Sequence, residues 1–328
     1  MIKTRATGMK ILLAACAISG IAASPPGGGT SFAAMTPTPS GTAIVPLVAQ
    51  RHVDERRPAS ADAEIEIYNL AGSLRIVGWD RHEVRVTGTL GKGTEELEFD
   101  GDEDDIDVRV VVPRRRGGQW DSDLYGSDLE IHVPSGSSLD VETLSASIDI
   151  SGISGALSLE SVSGAVDVSG GSDEIDVETT SGKIGVRTSS STVELDLKSV
   201  SGLVVVRMAG GEISASTVSG NIEVIAEDPR EAECESVSGN IRFEGDFSSR
   251  GSYQLDNFSG NVEVLVSADA SARFEISSFS GGIENDFGHE PRRTERYTPE
   301  KELEFSLGSG ASHVSVETFS GSVEIRKR

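Results

Sequence analysis

Ser161-Val162-Ser163-Gly164-Ala165-Val166-Asp167-Val168 is echoed one block later by Thr179-Thr180-Ser181-Gly182-Lys183-Ile184-Gly185-Val186. The signature returns as Ser199-Val200-Ser201-Gly202, Thr217-Val218-Ser219-Gly220, Ser236-Val237-Ser238-Gly239, Asn257-Phe258-Ser259-Gly260, Ser278-Phe279-Ser280-Gly281 and Thr318-Phe319-Ser320-Gly321. Thr143-Leu144-Ser145-Ala146 is a copy with Ala for Gly, and Asn69-Leu70-Ala71-Gly72 is a more distant one. A repeat at a fixed period decides the fold, because each copy is one structural unit. From Ala146 the steps between copies are 18, 18, 20, 18, 19, 21, 21 and 40 residues. The last step reads as two periods with one copy blurred across 285–301. The step of 74 from Gly72 to Ala146 holds an insertion.

Counting from each Gly exposes two alternating pairs. Seven and five residues before it stand Leu157/Leu159, Ile175/Val177, Leu195/Leu197, Tyr253/Leu255 and Val314/Val316. Two and four after it stand Val166/Val168, Ile184/Val186, Ile222/Val224 and Val323/Ile325. Alternation with period two marks two short strands per repeat, and Ser-Gly supplies the bend between them. The residue two before Gly is also apolar, which predicts a kink that turns Val162, Val218 and Phe258 inward with the others. One such repeat cannot bury enough surface alone, so the copies must stack. The expected fold is all-β: a parallel β-solenoid, β-helix-like, of roughly 18–21-residue coils with an N-terminal antiparallel β cap. Alternating stretches between Asp62 and Ser135 supply that cap, and Arg326-Lys327-Arg328 is expected to blunt the edge at the other end.

The whole chain has 328 residues, with 29 Lys+Arg against 53 Asp+Glu and a net charge of −24. Such acidity excludes a nucleic-acid binder, since phosphates would be repelled. Met1 to Lys10 is basic and Ile11 to Ala23 is apolar, the pattern of a secretory signal and too short for a membrane span. Residues 1–34 are read as a signal peptide region, 35–61 as a flexible linker, 62–135 as the opening coil with its antiparallel elaboration, and 136–328 as the solenoid repeats. Leu13-Ala14-Ala15-Cys16 also fits a lipoprotein box, which makes Cys16 the candidate lipid attachment; a simple exported protein is the favoured reading.

The lead-in Asn69-Leu70-Ala71-Gly72-Ser73-Leu74-Arg75-Ile76, then Gly78-Trp79-Asp80, Val133-Pro134, the Ser-Val-Ser-Gly copies and Thr318-Phe319-Ser320-Gly321 together resemble a bacterial β-strand-repeat family. That family carries the name "putative adhesin" and is a domain of unknown function. The resemblance runs from about Asp62 to Arg328. It implies an adhesin-like architecture and brings no catalytic residues with it.

The sequence offers few groups placed for chemistry. His52, His82, His132, His289 and His313 show no ligand spacing, and there is no Gly-x-Ser-x-Gly elbow. Cys234 occupies a core position equivalent to Leu197 and Leu255. Asp100 to Asp107 departs from the calcium-loop template, with Asp105 where Gly is needed and Val111 where Glu is needed. The Arg114-Arg115-Arg116 run is placed on a loop. Asn221, Asn240 and Asn261 follow Gly in successive repeats and are expected to form a ladder. Four residues before the turn lie Glu142, Glu160 and Glu178, then Lys198. Stacking sets the three glutamates one above another as a weak candidate face for a cation or partner. No catalytic residues, cofactor or metal site are assigned.

The function expected on these grounds is a non-enzymatic, exported cell-envelope scaffold or binding module, working through a repetitive acidic face. Its partner is an envelope polysaccharide, cationic peptide or protein. The alternatives are a β-helix polysaccharide-active enzyme and an envelope-stress sensory or regulatory module.

Overall fold

The computed structural model describes residues 51–112, 126–294 and 299–328. The signal region with Cys16, the linker up to residue 50 and the Arg114-Arg115-Arg116 run lie outside the described residues. Every regular element among the described residues is a strand, and no described helix is long and apolar enough to cross a membrane.

Six strands precede the repeats: β1 (Arg51–Pro58), β2 (Glu64–Trp79), β3 (Glu83–Leu90), β4 (Glu96–Gly101), β5 (Asp105–Val111) and β6 (Ser127–Pro134). The repeats begin with β7 (Ser138–Ser151), β8 (Leu157–Ser163), β9 (Val166–Gly170), β10 (Glu174–Ser181), β11 (Ile184–Thr188) and β12 (Glu194–Ser238). They continue through β13 (Ile241–Gly245), β14 (Ser252–Ser259), β15 (Val262–Val266), β16 (Ala272–Ser280) and β17 (Ile283–Asn285). Last come β18 (Arg292–Arg293), β19 (Lys301–Ser306), β20 (Ser312–Ser320) and β21 (Val323–Lys327).

Equivalent strands of neighbouring repeats pair in parallel, like residue over like. Leu157 is in register with Ile175, and Ile175 with Leu195. Val166 is in register with Ile184, and Ile184 with Val204. β12 is one unbroken run that joins β10 at its start and β14 at its end. The alternating positions predicted for the core are all buried, from Leu157 and Leu159 through Val166 and Val168 to Val314 and Val316. Apolar burial along this column is the main stabilising term.

The turn glycines stack as a column, and two constraints select them: Gly164, Gly182, Gly260 and Gly321 bend the chain at positive φ, between 139° and 155°, and the corners approach one another closely. A Cβ at Gly202 would meet the carbonyl oxygen of Gly182 at 1.9 Å, and one at Gly220 would meet that of Gly202 at 1.9 Å. Each repeat therefore lies against its neighbour backbone to backbone at this corner. The asparagine ladder follows the same stacking in altered form. The Asn240 N–H donates to Asn221 Oδ1 at 2.9 Å and the Asn261 N–H donates to Asn240 Oδ1 at 3.0 Å, so side chain joins backbone instead of amide joining amide.

The stack is solenoid-like but is not a simple solenoid, because the coil order in space departs from chain order at both ends. At the start, β2 has β5 and β6 on one side and β7 on the other, all parallel. The outermost coil is thus built of β5 and β6. The antiparallel cap lies outside it, with β4 on β5, β3 on β6 and β1 on β3. β1 also corrects the linker boundary expected at 35–61. Its single apolar contribution, Val53, gives no alternation to read, and the strand is held by backbone pairing to β3 and by the Arg85–Asp54 ion pair at 2.9 Å. The acidic Asp100 to Asp107 stretch is the β4–β5 turn, where Asp102 Oδ1 accepts the N–H groups of Asp104 and Asp105.

At the far end, β20 is inserted between β14 and β16, and β21 between β15 and β17. Among the described residues of 285–301 no parallel coil stands where the blurred copy was expected: β19 runs antiparallel against β16 and caps the stack, with β18 beyond it. Arg326-Lys327-Arg328 accordingly do not blunt the last edge. Arg326 is paired with Glu263 and Glu324, and Arg328 with Asp246 at 2.9 Å.

Candidate binding face

The Ser-x-Ser-Gly signature contains an inversion. Strand alternation continues unbroken up to two residues before Gly, so the expected inward kink does not occur. The hydroxyl three residues before Gly points in, and the apolar residue after it points out. Thr217 is 4% exposed while Val218 is 51% exposed. Thr143, Ser161, Thr179, Ser199, Ser236, Asn257, Ser278 and Thr318 are buried in the same column as Thr217.

Space at the corner explains the choice. A Cβ on Gly220 would lie 2.9 Å from Thr217 Oγ1, and one on Gly281 would lie 3.0 Å from Ser278 Oγ. Only a small side chain fits between the glycine corner and the core. Thr143 Oγ1 donates to Ser161 Oγ at 3.0 Å, and Asn257 Nδ2 donates to the Gly239 carbonyl at 2.8 Å. The hydroxyls of Thr179, Ser199, Thr217, Ser236 and Thr318 have no hydrogen-bond partner among the described residues, a cost the tight corner imposes.

Outside, the displaced apolar residues form a ridge. Strand pairing, and within β12 the stacked corners Gly202, Gly220 and Gly239, place Leu144, Val162, Thr180, Val200, Val218, Val237, Phe258, Phe319 and Phe279 in one column, of which only Thr180 is polar. The valines, Leu144 and the three phenylalanines are large hydrophobics left exposed. At about 4.8 Å per coil the ridge runs for roughly 38 Å. Phe258 and Phe279 each stack on Phe319, with centroids 4.9 and 4.8 Å apart. Their flat faces are turned to one another, which leaves ring edges toward solvent. Neighbouring side chains of this kind support the sheet themselves, and a continuous exposed apolar strip also marks an interaction surface.

The predicted acidic column lies beside the ridge, two residues back along the same strands. Glu142 is in register with Glu160, and Glu160 with Glu178. Tyr68 follows at one end of the three and Lys198 at the other. Lys198 Nζ lies 3.6 Å from Glu178 and 2.5 Å from Asp196. A second column flanks the first, with Glu66 in register with Asp140 and Asp176 with Asp196, and Ser158 between the two carboxylate pairs. Partial burial raises the pKa of Glu160, and the charges of Glu142 and Glu178 raise it further. Burial likewise raises Asp140, Glu66 and Asp176, each with added repulsion from neighbouring carboxylates. Among the described residues no group of three or more His, Cys, Asp or Glu side chains is arranged to hold a metal ion.

Cys234 is fully buried in the core, and burial pushes its thiol up to about 12, so it is no nucleophile. Sequence reading located the acidic column but misplaced the ridge. The signal that identifies it is the small polar residue preceding each apolar one, at a position where strict alternation already demands burial.

Fold and face together define a class: stacked-repeat β proteins that present long, regular side-chain columns on a rigid surface. Within that class the chain belongs to the Toastrack DUF4097 family, whose model matches residues 61–326. Solved structures that this chain matches include a putative adhesin from Bacteroides fragilis NCTC 9343, at 9% identity and a TM-score of 0.42, covering 84% of this chain and 98% of that one. A putative adhesin from Parabacteroides distasonis ATCC 8503 matches at 9% identity and a TM-score of 0.40, covering 84% of this chain and 97% of its own. A putative lipid binding protein from the same strain matches at 12% identity and a TM-score of 0.34, covering 84% of this chain and 96% of its own. None of the curated proteins matches this sequence.

Proposed function

We propose that the chain is a non-enzymatic, adhesin-like binding module of the bacterial cell envelope, a parallel β-solenoid in its repeat region, exported by its basic-apolar leader. Its working surface is the apolar ridge together with the acidic columns beside it. The partner this pairing fits is a cationic amphipathic helix of an envelope protein. The observation that carries the reading is the register of Glu142, Glu160 and Glu178 alongside Leu144 and Val162 on the same outward face.

Charge complementarity supports it, since a chain of net charge −24 attracts a cationic partner. Periodicity supports it too. A helix lying along the ridge offers an apolar side chain about every 5.4 Å, close to the roughly 4.8 Å between coils. A ridge of about 38 Å would accept about 25 helical residues at about 1.5 Å each. Many weak contacts in a row add up without any deep pocket.

A defined peptide of that length, with one leucine stripe flanked by lysines, tests the proposal against the full chain. Saturable binding that weakens with salt, and weakens again in the Val200→Ser, Val218→Ser, Val237→Ser triple variant, is the expected result. Equal binding of a scrambled peptide of the same composition would contradict it, because charge alone would then suffice. Cleavage of acidic polysaccharides by the purified chain would turn the reading to the enzyme alternative.

A further inference from the structure

The strands that follow the glycine corner carry a feature foreign to so acidic a protein. Arg187 on β11 and Arg207 on β12 are register partners on adjacent parallel strands, both exposed. Neither makes an ion pair or hydrogen bond with any described residue. Two like charges at about the 4.8 Å strand spacing repel one another, and most other described arginines of this chain have carboxylate partners within reach.

The surroundings are shaped as well as charged. Gly185 brings no side chain to the outer face between Asp167 and Val205, and the Asp167 carboxylate lies over it. A recess of about 210 Å³ opens there, walled by Lys183, Arg187, Arg207 and Glu223. On the other side of the same two arginines is a broader hollow of about 650 Å³, with Thr188, Ser189, Met208, Ile225 and Glu227 in its wall. The carboxylate nearest Gly185 belongs to Asp167, and it is engaged by Lys183 at 3.2 Å. The guanidinium pair is thereby left to a ligand, while Glu223 and Glu227 at the rim disfavour weakly held anions.

We propose that Arg187 and Arg207 form a binding site for a phosphate monoester. A monoester carries a charge of about −1.5 to −2 at neutral pH, which matches two guanidinium groups, and its oxygens suit their forked donors. The recesses on either side leave room for the organic part of the ligand. This site shares no residue with the ridge and is independent of the peptide-binding proposal.

Calorimetric titration of the full chain at constant ionic strength tests it with three probes: inorganic phosphate, a soluble sugar phosphate, and phosphatidylcholine vesicles with or without phosphatidic acid. The expected result is saturable binding that falls at least tenfold in Arg187→Gln and Arg207→Gln and is unchanged in Arg75→Gln. Arg187→Lys should fall between, since it keeps the charge and loses the fork. Tighter binding to the soluble probes assigns the phosphate to a free metabolite; tighter binding to the phosphatidic acid vesicles assigns it to a lipid headgroup. No saturable binding in any arm, or an equal loss in Arg75→Gln, would overturn the proposal. Melting curves of each variant establish that it is folded, and undiminished binding of the cationic peptide separates this result from failure of the ridge reading.

Discussion

Phe258 and Phe319 lie ring on ring, centroids 4.9 Å apart and planes 2° from parallel, and Phe279 stacks on the far side of Phe319. The middle ring of the trio is the last in sequence. The chain completes the coil of β16 and β17, caps it with β18 and β19, and returns to fill the space between that coil and the one before. Closure of this kind sets β20 and β21 inside the stack and covers the outer edge of β16 with the antiparallel β19.

A cysteine pair checks that order. Ser259 and Ser320 are register partners, whereas chain-order stacking would join Ser259 to Ser280. In a Cys16→Ser background, Ser259→Cys with Ser320→Cys should oxidise to a disulfide, because parallel neighbours fall within bridging distance. Cys234 stays silent because it is buried. Efficient bridging of a 259–280 pair, with none for 259–320, would refute the inserted coil.

The glycine column predicts a sharp contrast between two substitutions. Gly220→Ala drives a methyl group to within 1.9 Å of a backbone oxygen and should cost upward of about 2 kcal/mol, among the larger single-site effects. Gly171→Ala meets nothing within 4 Å and should change stability by no more than about 0.5 kcal/mol. Denaturant melts of the two variants measure the difference.

Much of this architecture was legible because its signals are redundant. Period, turn residue and alternation all point to stacked two-strand repeats, and Val166, Ile184 and Ile222 are buried as the pattern requires. The acidic column followed from the same count, since register alone puts Glu160 over Glu142. Three features escaped, each for a physical reason. Strand order at the ends is a long-range choice that local pattern does not encode, so β20 could not be placed from its own sequence. β1 is mostly charged, and backbone pairing holds it. The ridge was misread because hydrophobicity was weighed above alternation at Val162 and Val218, whereas the narrow glycine corner admits only Ser, Thr or Asn.

The raised carboxylates predict an unusual pH response. Glu66, Asp140, Glu160 and Asp176 hold protons more tightly folded than unfolded, mainly through burial. The folded state therefore binds more protons as pH falls through their range, and stability rises. Asp54, whose pKa is lowered by its hydrogen bonds from Arg85, acts in the opposite sense but alone. Tm should be higher at pH 5 than at pH 7.5, and Glu160→Gln should raise Tm at pH 7.5 while narrowing the gap. A Tm that falls steadily from pH 7.5 to 5 would count against the crowded acidic face.

Thiol labelling of Val200→Cys, Val218→Cys and Val237→Cys, each in a Cys16→Ser background, probes the ridge itself, with Thr217→Cys as the inward control. The account predicts that the three ridge cysteines react about as fast as a free thiol, that the Thr217→Cys thiol is protected, and that the cationic amphipathic peptide slows the ridge cysteines at saturation. Protected ridge cysteines beside a reactive Thr217→Cys thiol, or ridge labelling indifferent to saturating peptide, would contradict it.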